Sequence, residues 1–188
     1  MMSTAIVPGS LSALAQSSGM SLAESFLSCD VLVVIDVSGS MDADDSRGGR
    51  RRYDVAVEEL HRLQGDLPGK LGVIAFSTDV QFCPGGQPLF MGGGTDLTKA
   101  LQFVKVADST VRFIIVSDGY PDDAPSALAT ARQFKSRIDC IYVGPEADRR
   151  GADFLRQLAQ QSGGRYVVAD CAIELATETK RLLLSVAT

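Results

Sequence analysis

The stretch VLVVIDVSGSMDADD, residues 31–45, decides the fold. Val31 through Ile35 are apolar and mostly β-branched, which predicts a strand covered on both faces. The run ends on Asp36. Two serines follow at alternate positions, Ser38 and Ser40, with Gly39 between them and Asp42, Asp44 and Asp45 beyond. A buried strand that runs into short oxygen-bearing side chains needs a reason, because each buried polar group costs free energy unless it is paired.

Strand and helix signals alternate away from this stretch. Tyr53, Ala56, Val57, Leu60 and Leu63 fall on one helix face. LGVIAFS (71–77) is a second buried strand, and VQFC (80–83) follows too soon for a crossover helix, so it is expected to pair antiparallel as an edge strand. After the loop PGGQPLFMGGG (84–94), Leu97, Ala100, Leu101 and Val104 give a helical spacing. RFIIVS (112–117), IDCIYVG (138–144) and GGRYVVA (163–169) read as strands. Helices are expected over about 124–136, with Asp123 as N-cap and Pro125 in the first turn, over 148–161 with Leu155, Leu158 and Ala159 inward, and over 172–186. The alternation predicts an α/β fold, a doubly wound, mostly parallel six-stranded sheet with one antiparallel edge strand and helices on both faces. Residues 1–29 carry a single charge, Glu24, and are expected to form an arm with one short helix whose apolar face is Leu22, Phe26 and Leu27. The domain itself is expected over 30–187.

Composition narrows the function classes. The chain has 188 residues, 45% hydrophobic and 22% charged, which fits one soluble domain. A formal net charge of −5 and the absence of tryptophan argue against nucleic acid as the partner. No apolar run reaches the length of a membrane span. SALAQ (12–16) has the small residues of a cleavage site, yet the first basic residue is Arg47, so no positive region precedes it. Cys29, Cys83, Cys140 and Cys171 are widely spread, as expected of free thiols in a reducing cytoplasm, with a disulfide among them as the alternative reading.

The polar ends of three segments are expected to converge, because ligands of doubly wound sheets bind beyond the carboxyl ends of the strands. Asp36, Ser38 and Ser40 follow the first strand, Asp118 follows RFIIVS, and Thr95 follows three glycines at the start of a helix. All five end in oxygen, with no histidine or cysteine among them. An all-oxygen set suits Mg²⁺, with Mn²⁺ or Ca²⁺ as alternatives, and disfavours Zn²⁺ or Cu.

D-x-S-x-S, a distant Thr in a glycine-rich approach to a helix, and S-D-G after a later strand together resemble the von Willebrand factor type A domain and its metal-ion-dependent adhesion site. The resemblance covers roughly residues 30–187. It implies a Rossmann-like sheet with the first strand beside RFIIVS. It also implies direct metal ligation by Ser38 and Ser40, ligation by Thr95 directly or through water, and water-bridged or hydrogen-bonding roles for Asp36 and Asp118. It further implies a non-enzymatic module that binds a Glu or Asp of a protein partner, with AAA+ ATPases or kinase and phosphatase complexes as family-level partners; the thiols and the missing positive region give the expectation of a cytoplasmic protein. Movement of the last helix, about 172–186, accompanies switching in the family.

Other readings fit less well. An EF-hand starting at Asp42 would need Gly and Glu where Arg47 and Tyr53 stand. A phosphohydrolase using Asp36 as nucleophile needs a second carboxylate where Ser38 stands. The one histidine, His61, lies among Glu58, Glu59 and Arg62 and reads as a surface residue. A secreted adhesion domain is the other binding alternative. Arg47, Arg50, Arg51 and Arg52 precede a helix, where cations are unfavourable. They read either as a solvated loop partly neutralised by the nearby aspartates or as a basic rim that attracts an acidic partner.

Overall fold

The computed structural model describes residues 6–169. The sequence-expected closing helix over 172–186, and Cys171, lie outside the described residues.

Two helices precede the sheet, α1 (Leu11–Ser18) and α2 (Leu22–Leu27). Each starts on a serine: the Ser10 hydroxyl accepts from the Ala13 amide, and Ser21 and Glu24 form a reciprocal capping box. Backbone bonds tie this segment down. The Val7 amide donates to the Gly85 carbonyl at 2.9 Å, Ser12 to Pro84 at 3.0 Å, and Gly69 to Gly9 at 2.8 Å. Leu11 is buried in the core. The apolar face expected on α2 is only partly used. Phe26 meets Phe82 edge-on with ring centroids 5.3 Å apart, whereas Leu27 is 83% exposed.

Among the described residues the strands are β1 (Val31–Asp36), β2 (Leu71–Phe76), β3 (Val80–Phe82), β4 (Arg112–Ser117), β5 (Ile138–Tyr142) and β6 (Tyr166–Val168). They form one sheet in the order β3-β2-β1-β4-β5-β6. Only β3 is antiparallel to its neighbour, because Ser77–Asp79 is too short a link for a crossover. The doubly wound α/β architecture is therefore the one that the strand–helix alternation implies.

All of β1 is buried, and period-2 alternation divides it between two layers. Val31, Val33 and Ile35 pack with Val55, Ala56, Leu60 and Leu63 of α3 (Arg52–Asp66). Leu32 and Val34 share the opposite core with α4 (Leu97–Val104), α5 (Ala124–Ala131) and α6 (Arg149–Gln161) through Leu101, Ala127 and Leu155. The inward stripe of α3 is rotated from the expected one. Val55 is buried in place of Val57, and Arg52, Glu59 and Gln64 are buried beside it. The rotation follows from ion pairs inside the protein. Arg52 reaches Asp45 and Asp118, and Glu59 lies between Arg47 and Arg62 at 3.3 and 3.2 Å. Burial raises the Glu59 carboxyl above its ordinary value while the arginines oppose the shift.

Cys29, Cys83 and Cys140 are buried and unpaired, with thiols pushed up chiefly by burial. Among the described residues, no helix is long and apolar enough to cross a membrane.

The turn after β4 is pressed against the start of α6. Gly119 has φ +79°, and a Cβ there would stand 2.2 Å from the Gly151 carbonyl oxygen. A Cβ on Gly151 would stand 2.1 Å from the Asp118 carbonyl oxygen. Backbone meets backbone, so no side-chain rotation relieves a substitution. Gly151→Ala should cost roughly 1–3 kcal/mol in urea unfolding by overpacking. Leu11→Ala should cost about 2–5 kcal/mol, the range of a true core leucine. A loss within 0.5 kcal/mol, measured the same way and roughly that of a surface site, would show that α1 adds nothing to the core.

Candidate metal centre

β1 and β4 run parallel side by side, with Ile35 opposite Val116, so Asp36 and Ser117 leave the sheet together. β2 lies on the other side of β1, and the chain order therefore reverses at this crevice. Asp36 is fully buried, and both of its oxygens are engaged. Oδ1 accepts from the Ser38 amide at 2.9 Å, and Oδ2 accepts from the Ser117 hydroxyl at 2.7 Å. Ser117 in turn accepts from the Gly119 amide at 3.0 Å. Burial, and after it the charge of Asp118, push the Asp36 carboxyl up to about 7, against the pull of these hydrogen bonds.

Ser38 and Ser40 come together through a turn rather than through strand alternation. A 3₁₀ turn over Gly39–Asp42 starts after Ser38, whose hydroxyl does not cap it. The Ser38 and Ser40 hydroxyl oxygens end 3.3 Å apart. Adjacent ligands of an octahedral Mg²⁺ with bonds near 2.1 Å stand about 3 Å apart, so the pair has the spacing of neighbouring ligands.

Thr95 is brought in by a loop pinned along its length. The amides of Met91 and Gly92 donate to the Val37 carbonyl at 3.3 and 2.9 Å, and the Gly39 amide donates to the Gly93 carbonyl at 3.0 Å. A Cβ on Gly39 would stand 3.2 Å from that same carbonyl oxygen, so glycine permits the close approach. Gly92 and Gly93 take φ +70° and +80°, a region that suits glycine. The Gly94 amide donates to the Thr78 hydroxyl at 2.9 Å, and the Thr95 amide donates to Asp122 at 2.9 Å. Asp96, not Thr95, caps α4, accepting from the Lys99 amide at 2.9 Å.

Asp118 is fully buried, with its Oδ1 accepting from the Tyr120 amide at 3.3 Å. Its Oδ2 accepts from Arg52 Nη1 at 2.6 Å. The remaining edge of the Arg52 guanidinium holds Asp45 in a fork, Nε to Oδ1 at 2.6 Å and Nη2 to Oδ2 at 2.7 Å. The arginine run is thus divided among partners. Arg47 and Arg50 meet Glu58, Arg51 pairs with Asp42 and lies over the Phe90 ring, and Arg52 turns inward. Most of the charge expected at a basic rim is already paired. Sequence reading gave Arg52 and Asp122 no place beside these residues, and it noted Ser117 only as the first residue of S-D-G. A cation opening a helix, where the dipole opposes it, was the one visible hint for Arg52.

Asp36 thus ends β1, Ser38, Ser40, Thr95 and Asp118 follow on segments tied to it or to one another by hydrogen bonds, and all five side chains end in hydroxyl or carboxylate oxygen. Among the described residues, no group of three or more His, Cys, Asp or Glu side chains stands together so as to hold a metal ion. His61 is on the surface, its Nε2 2.9 Å from Gln87.

No family model and no curated protein matches the chain. Solved structures do. BatB from Bacteroides thetaiotaomicron matches with a TM-score of 0.63 at 18% identity, over 82% of this chain and 98% of that one. A von Willebrand factor type A structure from Catenulispora acidiphila matches with a TM-score of 0.60 at 19% identity, over 81% and 42%. Manganese-loaded TRAP protein from Plasmodium vivax matches with a TM-score of 0.57 at 16% identity, over 79% and 72%. These similarities, with the sheet order and the antiparallel edge strand, show that the chain has the fold of the von Willebrand factor type A domain.

Proposed function

We propose that this protein is an interaction module that uses a divalent cation, Mg²⁺ with Mn²⁺ or Ca²⁺ as alternatives, to bind an acidic side chain of a protein partner. Ser38, Ser40 and Thr95 are the residues that would hold the cation through hydroxyls, with Asp36 and Asp118 behind them. The observation that carries this reading is the pair of serine hydroxyls 3.3 Å apart beside a buried carboxylate whose two oxygens are already occupied. A cation held mostly by neutral hydroxyls keeps much of its charge. Mg²⁺ dehydrates reluctantly and relies on other molecules to complete its shell. The anionic oxygen that completes the shell then comes from a Glu or Asp in trans, and binding rather than turnover is the chemistry of the site.

The fold likeness to a manganese-loaded protein supports a divalent ion, and the oxygen-only donor set supports a hard one. Three buried, unpaired thiols support a reducing compartment, hence the cytoplasm, over secretion. The type of partner complex, an AAA+ ATPase or a kinase and phosphatase assembly, is carried by the family resemblance alone.

Calorimetry with Mg²⁺ and Mn²⁺ should show weak binding by the isolated protein, lost in Ser38→Ala and in Asp36→Ala. Free glutamate or an acidic peptide should bind only in the presence of metal and be released by EDTA. Tight metal binding that persists unchanged in Asp36→Ala would reject the assignment.

A further inference from the structure

Two carboxylates, Asp36 and Asp118, are both fully buried at the ends of adjacent strands. Two like charges so placed in a poorly solvated crevice are costly unless a counter-charge is supplied. Among the ion pairs of the described residues, the cation that reaches Asp118 is Arg52. Its side chain is only 10% exposed, and its three engaged N–H groups are shared between Asp118 and Asp45. Asp45 is about half exposed, so the guanidinium spans from the solvent edge to the buried carboxylate. A lysine could not make the fork to Asp45 and still donate to Asp118, because only the guanidinium has that planar set of donors.

The geometry points to Arg52 as a resident cation of this centre: it neutralises Asp118 when no metal is bound, and a divalent ion has to compete with it. The metal half of this inference rests on the reading given under Proposed function. It assigns a role to two residues outside the five-residue set. Arg52 supplies the charge, and Asp45 fixes the guanidinium plane so that Nη1 faces Asp118. The consequence is a domain that keeps its fold without metal and binds metal weakly. The positive charge nearest the site belongs to the protein, and it repels an incoming cation.

The test compares wild type with Arg52→Met, which keeps the length and apolar stem of the side chain but removes the charge. In EDTA the melting temperature of Arg52→Met should fall by on the order of 10 °C, as for a broken buried ion pair. Adding Asp118→Asn to that variant removes the orphaned carboxylate and should restore most of the loss. Mn²⁺ should bind Arg52→Met roughly tenfold more tightly than wild type and raise its melting temperature by more, since a like charge nearby has gone. If Arg52→Met does not fold in EDTA, the double variant and refolding in Mn²⁺ decide the matter, and both should recover folded protein. Weaker Mn²⁺ binding by Arg52→Met would overturn the inference, because it would make Arg52 a holder of Asp118 for the metal. Failure of Asp118→Asn to restore stability would overturn it as well. If Mn²⁺ affects neither protein, the metal reading of the site falls, and the recovery seen with Asp118→Asn alone decides whether Arg52 is the resident cation.

Discussion

The structure around the centre depends on one constraint, the burial of the Asp36 carboxylate at the end of the most deeply covered strand. Both of its oxygens must be satisfied inside the protein, since the side chain is fully buried. The Ser38 amide and the Ser117 hydroxyl supply the partners, and each fixes a loop. The first bond closes the chain tightly after β1 and sets the direction in which the serine turn leaves the sheet. The second ties β1 to β4 at the point where the chain order reverses.

From that constraint a sequence of close backbone approaches follows. Gly39 lies against the Gly93 carbonyl, Gly119 against Gly151, and the glycine loop 92–94 is held by the Val37 carbonyl and the Thr78 hydroxyl. Each contact leaves too little space for a side chain or requires a positive φ. These glycines let the loops around the end of β1 approach one another closely. Charge is arranged with the same economy. Asp118 carries Arg52, Arg52 carries Asp45, and Arg51 carries Asp42. Two aspartates of the acidic stretch after the serines, Asp42 and Asp45, therefore serve the arginines that follow it.

Much of this was legible in the sequence, for reasons that particular residues make clear. A short run of apolar, mostly β-branched residues such as VLVVI favours a strand with both faces covered, and a link as short as Ser77–Asp79 joins antiparallel neighbours because a parallel crossover needs more chain. The oxygen-bearing residues at the strand ends were visible because several of them recur at the carboxyl ends of strands in one pattern, although each alone suits a turn. Arg52 was not legible. In the sequence it is one of four arginines in six residues, and local chemistry favours none of them for the interior. The helix face was misread for the same reason: hydrophobicity suggested Val57, and ion pairing turned Arg52 and Val55 inward instead.

The sequence by itself determined the layering, the antiparallel edge and the kinds of atom gathered at the strand ends, because periodicity and side-chain chemistry are local properties. Only the tertiary structure decided which hydroxyls meet, which residue caps α4, and which arginine faces Asp118. Those outcomes depend on segments far apart in the chain, such as residues 36 and 117 or 52 and 118, and on how closely their backbones can approach. No window of sequence contains that distance.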